Sequence, residues 1–314
     1  MNPTGALYSC ISEPDSDKAL FYFSDMGGVK SCQTPFWCIM NHNPILIEPD
    51  ELEPLLDDDK LLLVDLGKPE SYAQIHVPGA MHLDYRLLLA GTKPAPGLLP
   101  PEERLAHLAG MLKLDPVSWV VAYDDGGGRA ARLAWTLHYL GYQSVQVLNG
   151  GIHAWNNEGH PVSEDPIFPD NTQTLPVVSH DPTVLATREY VLEHLNDDEV
   201  VLLDARTPEE YAGTKAYAAR GGHIPGAKNI NWQDTMDPDR NLRLKGASEL
   251  QDMLTLRGID PQQEVITYCQ THHRSAHAWM MLKSLGFTRV RGYAGSWSEW
   301  GNDPDLPIQQ GVFP

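Results

Sequence analysis

The stretch Val265-Ile266-Thr267-Tyr268-Cys269-Gln270-Thr271-His272-His273-Arg274-Ser275-Ala276-His277-Ala278-Trp279 carries the reading of the chain. Its first four residues are β-branched or aromatic, which suits a buried strand. Further on, Trp279, Leu282 and Leu285 recur at helical spacing, and Gly286 stands where a helix C-cap belongs. The order is strand, loop, helix. Cys269 then sits at the carboxyl end of the strand, with the free N–H groups of the next helix aimed at its sulfur. A free cysteine has a pKa of about 8.5, and a helix N-terminus with nearby cations lowers it. Arg274 adds a fixed positive charge, Ser275 a hydroxyl, and inward loop amides an anion-binding nest. The pattern predicts a thiolate beside a site for an anionic substrate.

Outward from this stretch the chain repeats itself. Leu61-Leu62-Leu63-Val64-Asp65 is matched by Val200-Val201-Leu202-Leu203-Asp204, and each is followed by Pro-Glu-x-Tyr-Ala. His76-Val77-Pro78-Gly79-Ala80 is matched by His223-Ile224-Pro225-Gly226-Ala227. Tyr123 pairs with Tyr268, Arg129 with Arg274, Gly150 with Gly295 and Trp155 with Trp300, all at an offset of 145 residues. That order marks an internal duplication. Strands are predicted at 61–65, 119–123, 145–148, 200–204, 265–268 and 289–293, and helices at 102–112, 129–140, 248–256 and 275–285. Alternating strands and helices predict an α/β fold in which each repeat is a parallel sheet covered by helices on both faces. Ligands of such sheets sit at the carboxyl ends of strands, where Cys269 falls.

The expected organisation is a poorly ordered extension at 1–39, a first domain at 43–160, a linker at 161–182 rich in Pro, Asp and Asn, and a second domain at 183–310. Met40, just before the first domain, is an expected natural start of translation. Cys32 and Cys38 lack the partners of a zinc finger. The net charge of −19 argues against nucleic-acid or anionic-membrane partners, which need a basic face. Four cysteines, three of them in the first 40 residues, form no disulfide framework and suit a reducing cytoplasm. No run approaches the ~20 apolar residues of a membrane span, and no basic-then-apolar leader is present. A cytoplasmic monomer without cofactor or metal is expected.

The loop Cys269-Gln270-Thr271-His272-His273-Arg274, followed by Ser275, resembles the active-site loop of the rhodanese sulfurtransferases, most of all the bacterial thiosulfate:cyanide type. Asp204-Ala205-Arg206, His223 to Ala227 and Tyr293-Ala294-Gly295-Ser296-Trp297 fall in family order. The resemblance covers about residues 43–310. It implies two tandem rhodanese-like domains and a two-step transfer of sulfane sulfur from thiosulfate to cyanide or another thiophilic acceptor, through a persulfide on Cys269. It makes Arg206 the candidate for the sulfonate end of the donor. The competing expectation for Arg206 is a surface salt bridge with Glu209 or Glu210.

Arg274 is expected to close the loop on carbonyls or neighbouring acids. Gln270 and Thr271 are further candidate substrate contacts. His272 and His273 could lend positive charge below about pH 6.5 or orient a donor. His76 and His223 are expected to brace turns, and Trp297 and Trp300 to pack in the core. Opposite Cys269 stands Asp124, in Asp124-Asp125-Gly126-Gly127-Gly128-Arg129, and opposite Arg206 stands Gly67. An aspartate cannot carry sulfane sulfur, so the first repeat is expected to be inactive and to wall the cleft. Its glycines fit neither dinucleotide nor P-loop spacing.

Two enzymatic rivals and one carrier reading remain. Cysteine phosphatases place five residues between Cys and Arg, against four here. 3-Mercaptopyruvate sulfurtransferases resemble this chain but usually carry a glycine- and serine-containing loop. A persulfide carrier would load Cys269 and hand its sulfur to an acceptor protein.

Overall fold

The computed structural model describes residues 44–114, 118–126, 128–167 and 180–311. The extension at 1–39, Cys32, Cys38, Met40, Gly127 and linker positions 168–179 lie outside them. In the first half the strands are β1 (Leu46–Ile47), β2 (Leu61–Asp65), β3 (Met81–His82), β4 (Trp119–Tyr123) and β5 (Val145–Leu148). The helices are α1 (Pro49–Leu52), α2 (Pro69–Gln74), α3 (Glu102–Met111), α4 (Gly128–Tyr139) and α5 (Gly151–Asn157). The second half has strands β6 (Leu185–Ala186), β7 (Val200–Asp204), β8 (Lys228–Asn229), β9 (Met236–Asp237), β10 (Arg243–Leu244), β11 (Glu264–Tyr268) and β12 (Val290–Tyr293). Its helices are α6 (Arg188–Glu193), α7 (Pro208–Ala212), α8 (Ala247–Leu256), α9 (Arg274–Ser284) and α10 (Ser296–Trp300).

Both halves build the same parallel five-stranded sheet, ordered β1-β5-β4-β2-β3 and β6-β12-β11-β7-β8. The register is equivalent as well: Asp65 lies beside Tyr123 and Asp204 beside Tyr268. Tyr123 and Tyr268 both take a backbone N–H on the phenol oxygen, from Val77 at 3.0 Å and Ile224 at 3.2 Å. The strands expected from apolar runs form within one residue of their predicted ends. The two-residue strands were not foreseen, because no alternation shows in so short a run. The β9–β10 hairpin is an antiparallel addition of the second half.

Strand alternation divides the core. Val120, Ala122, Leu203 and Val265 point into one apolar core shared by both halves, which α4 and α9 fill by packing on each other. Leu63, Val121 and Tyr123 face an outer core of the first half, and Leu202, Ile266 and Tyr268 one of the second. Each fully buried aliphatic side chain stabilises by about 1.5–3 kcal/mol, so the shared core welds the repeats. It also fixes the start of α4 against the start of α9, where the two repeat loops lie.

The linker begins as part of the first half rather than as free chain. Ser163 and His76 exchange backbone hydrogen bonds of 2.9 and 3.0 Å, and Ile167 N–H donates to the Tyr72 hydroxyl at 2.7 Å. His76 stacks on Tyr72 and His223 on Tyr211, each histidine also bonding that tyrosine's carbonyl at 2.8 Å. Both histidines brace turns, as the sequence suggested. Among the described residues no helix is long and apolar enough to cross a membrane.

Candidate active site

Cys269 follows the last residue of β11 and has no exposed surface. Its sulfur meets the N–H of Thr271 and both the N–H and the hydroxyl of Ser275. Burial is the largest single influence on the thiol and pushes its pKa up. The Arg274 charge and the three hydrogen bonds together outweigh it, so the thiol lies below its ordinary value.

The loop that builds this nest turns at His272, whose φ of +55° is the left-handed region that a β-carbon disfavours. The imidazole is fully buried, with Nδ1 2.7 Å from the Ser275 hydroxyl and its ring edge-on to Trp135. Ser275 has one proton, and it points at sulfur. Its oxygen therefore accepts from His272, which places the histidine proton on Nδ1. The expectation that the histidines lend positive charge fails. Burial holds His272 well below the usual histidine range and lowers His273 to about 4, so both are neutral at pH 7.

The Tyr293 to Trp297 motif backs the loop. Trp297 N–H donates to the Cys269 carbonyl at 2.9 Å and Ser298 N–H to that of Gln270 at 3.0 Å, while Cys269 N–H donates to Ser296 Oγ at 3.3 Å. Trp297 and Trp300 are core residues whose indole N–H groups reach the carbonyls of Arg220 and Pro307. Gln270 and Thr271 are half-buried, and the Gln270 amide reaches the Tyr217 carbonyl at 3.4 Å.

The two arginines exchange expected partners. Arg274 grips Glu210 through both Nη atoms, at 2.7 and 2.9 Å, and Glu210 also closes the capping box of α7 with Thr207. Arg206, the expected sulfonate contact, is 1% exposed. Its guanidinium holds Asp204 through Nε and Nη2, donates to the Gly222 carbonyl at 2.7 Å and lies over the Trp297 ring. It is closed off from solvent, and its salt bridge runs to Asp204 rather than to Glu209 or Glu210. The carboxylate of Asp204, the last residue of β7 and two residues upstream, is within reach of its fork and outcompetes water once both are buried.

In the first-half loop Asp124 supplies its own anion. Its carboxylate accepts the N–H groups of Gly126, Arg129 and Ala130 at 2.8, 2.6 and 2.9 Å. This half walls the cysteine loop, and it does so closely. A Cβ on Gly97 would come within 2.5 Å of the Thr271 carbonyl oxygen, and one on Gly128 within 2.6 Å of the His273 ring. Arg132 on α4 is fully buried and donates to the carbonyls of His272, Leu88 and Gly97 at 3.3, 3.1 and 2.8 Å. The Tyr85 hydroxyl is buried without a hydrogen-bond partner in the same electrostatic cluster, its pKa pushed up to about 12 by burial. Sequence reasoning missed Glu210 as the Arg274 partner, and missed Arg132 and Tyr85. The signal for Arg132 was a lone arginine among Ala130, Ala131, Leu133 and Ala134 on a helix. No three His, Cys, Asp or Glu side chains among the described residues converge as a metal site.

The comparisons agree with this architecture. The model of the Rhodanese-like domain matches residues 48–158 and 187–303. The chain is 44% identical over 267 residues to a thiosulfate sulfurtransferase of Azotobacter vinelandii, covering 85% of this chain and 97% of the relative. It is 45% identical over 267 residues to that of Pseudomonas aeruginosa, with the same coverage. The sulfur carrier protein TtuD of Thermus thermophilus is 33% identical over 285 residues, 86% of this chain and 98% of the relative. In fold it resembles the anaerobic ergothioneine biosynthesis enzyme from Chlorobium limicola, with a TM-score of 0.77 and 24% identity over 86% of this chain and 71% of that one. With duplicated parallel sheets, one buried cysteine in a helix-start nest and a Rhodanese-like match in each half, the chain belongs to the rhodanese family.

Proposed function

We propose that this protein moves sulfane sulfur from thiosulfate to a thiophilic acceptor through a persulfide on Cys269. The observation that carries the reading is the buried Cys269 sulfur ringed by Thr271 N–H, Ser275 N–H, the Ser275 hydroxyl and the Arg274 charge. In the first step the thiolate attacks the outer sulfur of thiosulfate. A Cys269–S bond forms, the sulfur–sulfur bond of the donor breaks, and sulfite leaves with its electron pair. In the second step cyanide or another nucleophile attacks the terminal sulfur and returns the thiolate. Two easier steps replace one hard one, and ping-pong kinetics follow.

The persulfide is an anion like the thiolate, so the same preorganised donors stabilise both. His272 holds Ser275 in register through Nδ1, and Arg274 holds the loop to α7 through Glu210. With Arg206 sealed on Asp204, the donor's sulfonate end falls to the half-buried Gln270 and Thr271 at the loop surface. Because Cys269 has no exposed surface, donor entry requires a displacement of its neighbours.

The site works as a monomer in a reducing cytoplasm, in keeping with a single thiol in the two-domain body. Similarity to the carrier TtuD favours a second reading, in which an acceptor protein takes the sulfur. Incubation with thiosulfate followed by intact mass tests both. One added sulfur atom in the wild type and none in Cys269→Ala is expected, with discharge as thiocyanate on adding cyanide. Loading without cyanide turnover supports the carrier, and no loading from thiosulfate or 3-mercaptopyruvate overturns the proposal.

A further inference from the structure

We propose that Arg132, supplied by the half that lacks a thiol, is the standing counter-charge and brace of the Cys269 loop. The inference rests on Cys269 being the nucleophile. Arg132 is a positioning residue: it touches the loop backbone and acts on the sulfur through it and through its charge.

The argument begins with partners. Arg206 has Asp204, Arg274 has Glu210, and Arg243 has Glu48 and Glu158. Arg132 is as buried as any of these, yet among the described residues no carboxylate lies within ion-pair distance of it. Its Nη atoms are spent on three carbonyls, and its Nε has no partner at all. A buried cation without an anion is strongly disfavoured. Three carbonyls and the face of Trp135, 4.7 Å from the guanidinium carbon, offset part of that cost, and a nearby anion would offset more. Burial lowers the Arg132 pKa to about 10, and the ionised forms of Tyr85 and Cys269 act against that as nearby negative charges. Of these two the thiol is the more acidic, since it lies below its ordinary value while burial holds the phenol at about 12. The thiolate, and after loading the persulfide, is the anion proposed to complete its surroundings.

The second strand of the argument is mechanical. Arg132 binds the carbonyl of His272, the residue that turns the loop at positive φ and orients Ser275 toward sulfur. The same guanidinium holds Leu88 and Gly97 carbonyls of the first half. It therefore ties the wall of the cleft to the turn of the nest. Arg274 also lowers the thiol, but it shares its charge with Glu210, whereas Arg132 has no carboxylate partner among the described residues. The first half has lost its nucleophile and kept a share in the chemistry.

The test uses full-length protein and the pH dependence of alkylation at Cys269 by iodoacetamide, read on the Cys269 peptide by mass spectrometry. Other groups around this thiol are Arg274, His272, His273 and His277 on its loop and helix, Asp204, Arg206 and Glu210 from β7 and α7, and Tyr85, Asp124 and Arg129 from the first half. All are unchanged in the variants. Arg132→Met is expected to raise the alkylation midpoint by about one pH unit or more and to slow sulfur loading from thiosulfate at pH 7 about tenfold, with recovery at higher pH. Arg132→Lys keeps the charge and loses the fork, so its midpoint should stay near wild type while its thermal stability falls. A folded Arg132→Met protein with the wild-type midpoint overturns the proposal. If Arg132→Met does not fold, Arg132→Lys decides, and a midpoint raised by a full unit in that variant overturns it. Alkylation needs no sulfur donor, so this result stands apart from whether thiosulfate is the substrate.

Discussion

Arg274 and Glu210, 64 residues apart in sequence, meet through two charge-assisted hydrogen bonds of 2.7 and 2.9 Å. The pair fastens the first turn of α9, and with it the cysteine nest, to α7. Glu210 is buried, yet its carboxyl titrates below the ordinary value: burial pushes it up, and the Arg274 hydrogen bonds and charge overcome that. A carboxyl lowered in this way stabilises the fold above its unfolded pKa, and the contribution disappears as pH falls through the folded one. Arg274→Ala should cost about 3–5 kcal/mol by stranding Glu210, and should reduce sulfur loading by two orders of magnitude or more. Urea unfolding at pH 7 and pH 3.5 checks the linkage, because the stability loss should shrink at the lower pH.

Asp65 is the counter-case. Its twin Asp204 has Arg206, whereas Asp65 meets the Gly67 N–H at 2.6 Å and the Tyr123 hydroxyl with no arginine bridge among the described residues, and burial raises its pKa to about 6. The folded state then binds this proton more tightly than the unfolded chain does. Stability is lost as pH rises from about 4 through 6, by roughly 3 kcal/mol in all at about 1.36 kcal/mol per unit. Asp65→Asn should raise the melting temperature by several degrees at pH 8 and by almost nothing at pH 4. A gain of equal size at both pH values would contradict the assignment.

Asp124 sits in its own loop as a tethered anion with three N–H donors. The Cys269 nest has the same shape, so a carboxylate should fit it too. Cys269→Asp is expected to be inactive in sulfur transfer but more heat-stable than Cys269→Ala. Differential scanning calorimetry of the two variants side by side gives the order.

The histidines of the loop should leave no mark on the pH–rate profile. His273 is lowered to about 4, chiefly by burial and then by the Arg274 charge. His273→Gln should therefore keep the same acid limb in sulfur loading between pH 5 and 8. A limb that disappears in this variant would show that the imidazole titrates in that range.

Arg243 offers a contrast outside the site. From the β9–β10 hairpin it reaches Glu48 at 2.8 Å and forks onto Glu158 of the first half. Arg243→Ala should cost about 1 kcal/mol, because Glu48 and Glu158 are partly exposed and water replaces the lost partner. Sulfur loading per folded molecule at 20 °C should not change. Loading measured alongside denaturant titration separates the two effects.

Much of the fold was readable because its strands are runs of β-branched and aliphatic residues long enough to show their kind. Val200–Asp204 and Trp119–Tyr123 form as expected. Leu185–Ala186 and Lys228–Asn229 did not announce themselves, since two residues have no period and become strands only by pairing with β12 and β7. Within the site, Cys269, Ser275 and Arg274 were legible from their spacing at a helix start. The histidine charge and the place of Arg206 were misread, because both depend on burial, which neighbouring letters do not encode.

The sequence by itself determined that the chain is a duplicated α/β protein with a thiol, Cys269, at a strand end and Asp124 at the matching place of the first repeat. Repeats, strand composition and helix signals are local properties, and they survive translation into three dimensions. The tertiary structure decided which carboxylate each arginine meets, which rings stay neutral, and that Arg132 crosses from one half to the loop of the other. Those outcomes follow from desolvation and from contacts between residues far apart in the chain, set when α4 and α9 pack on each other. The loop of the thiol that opened the reading is thus held partly by a residue of the other half.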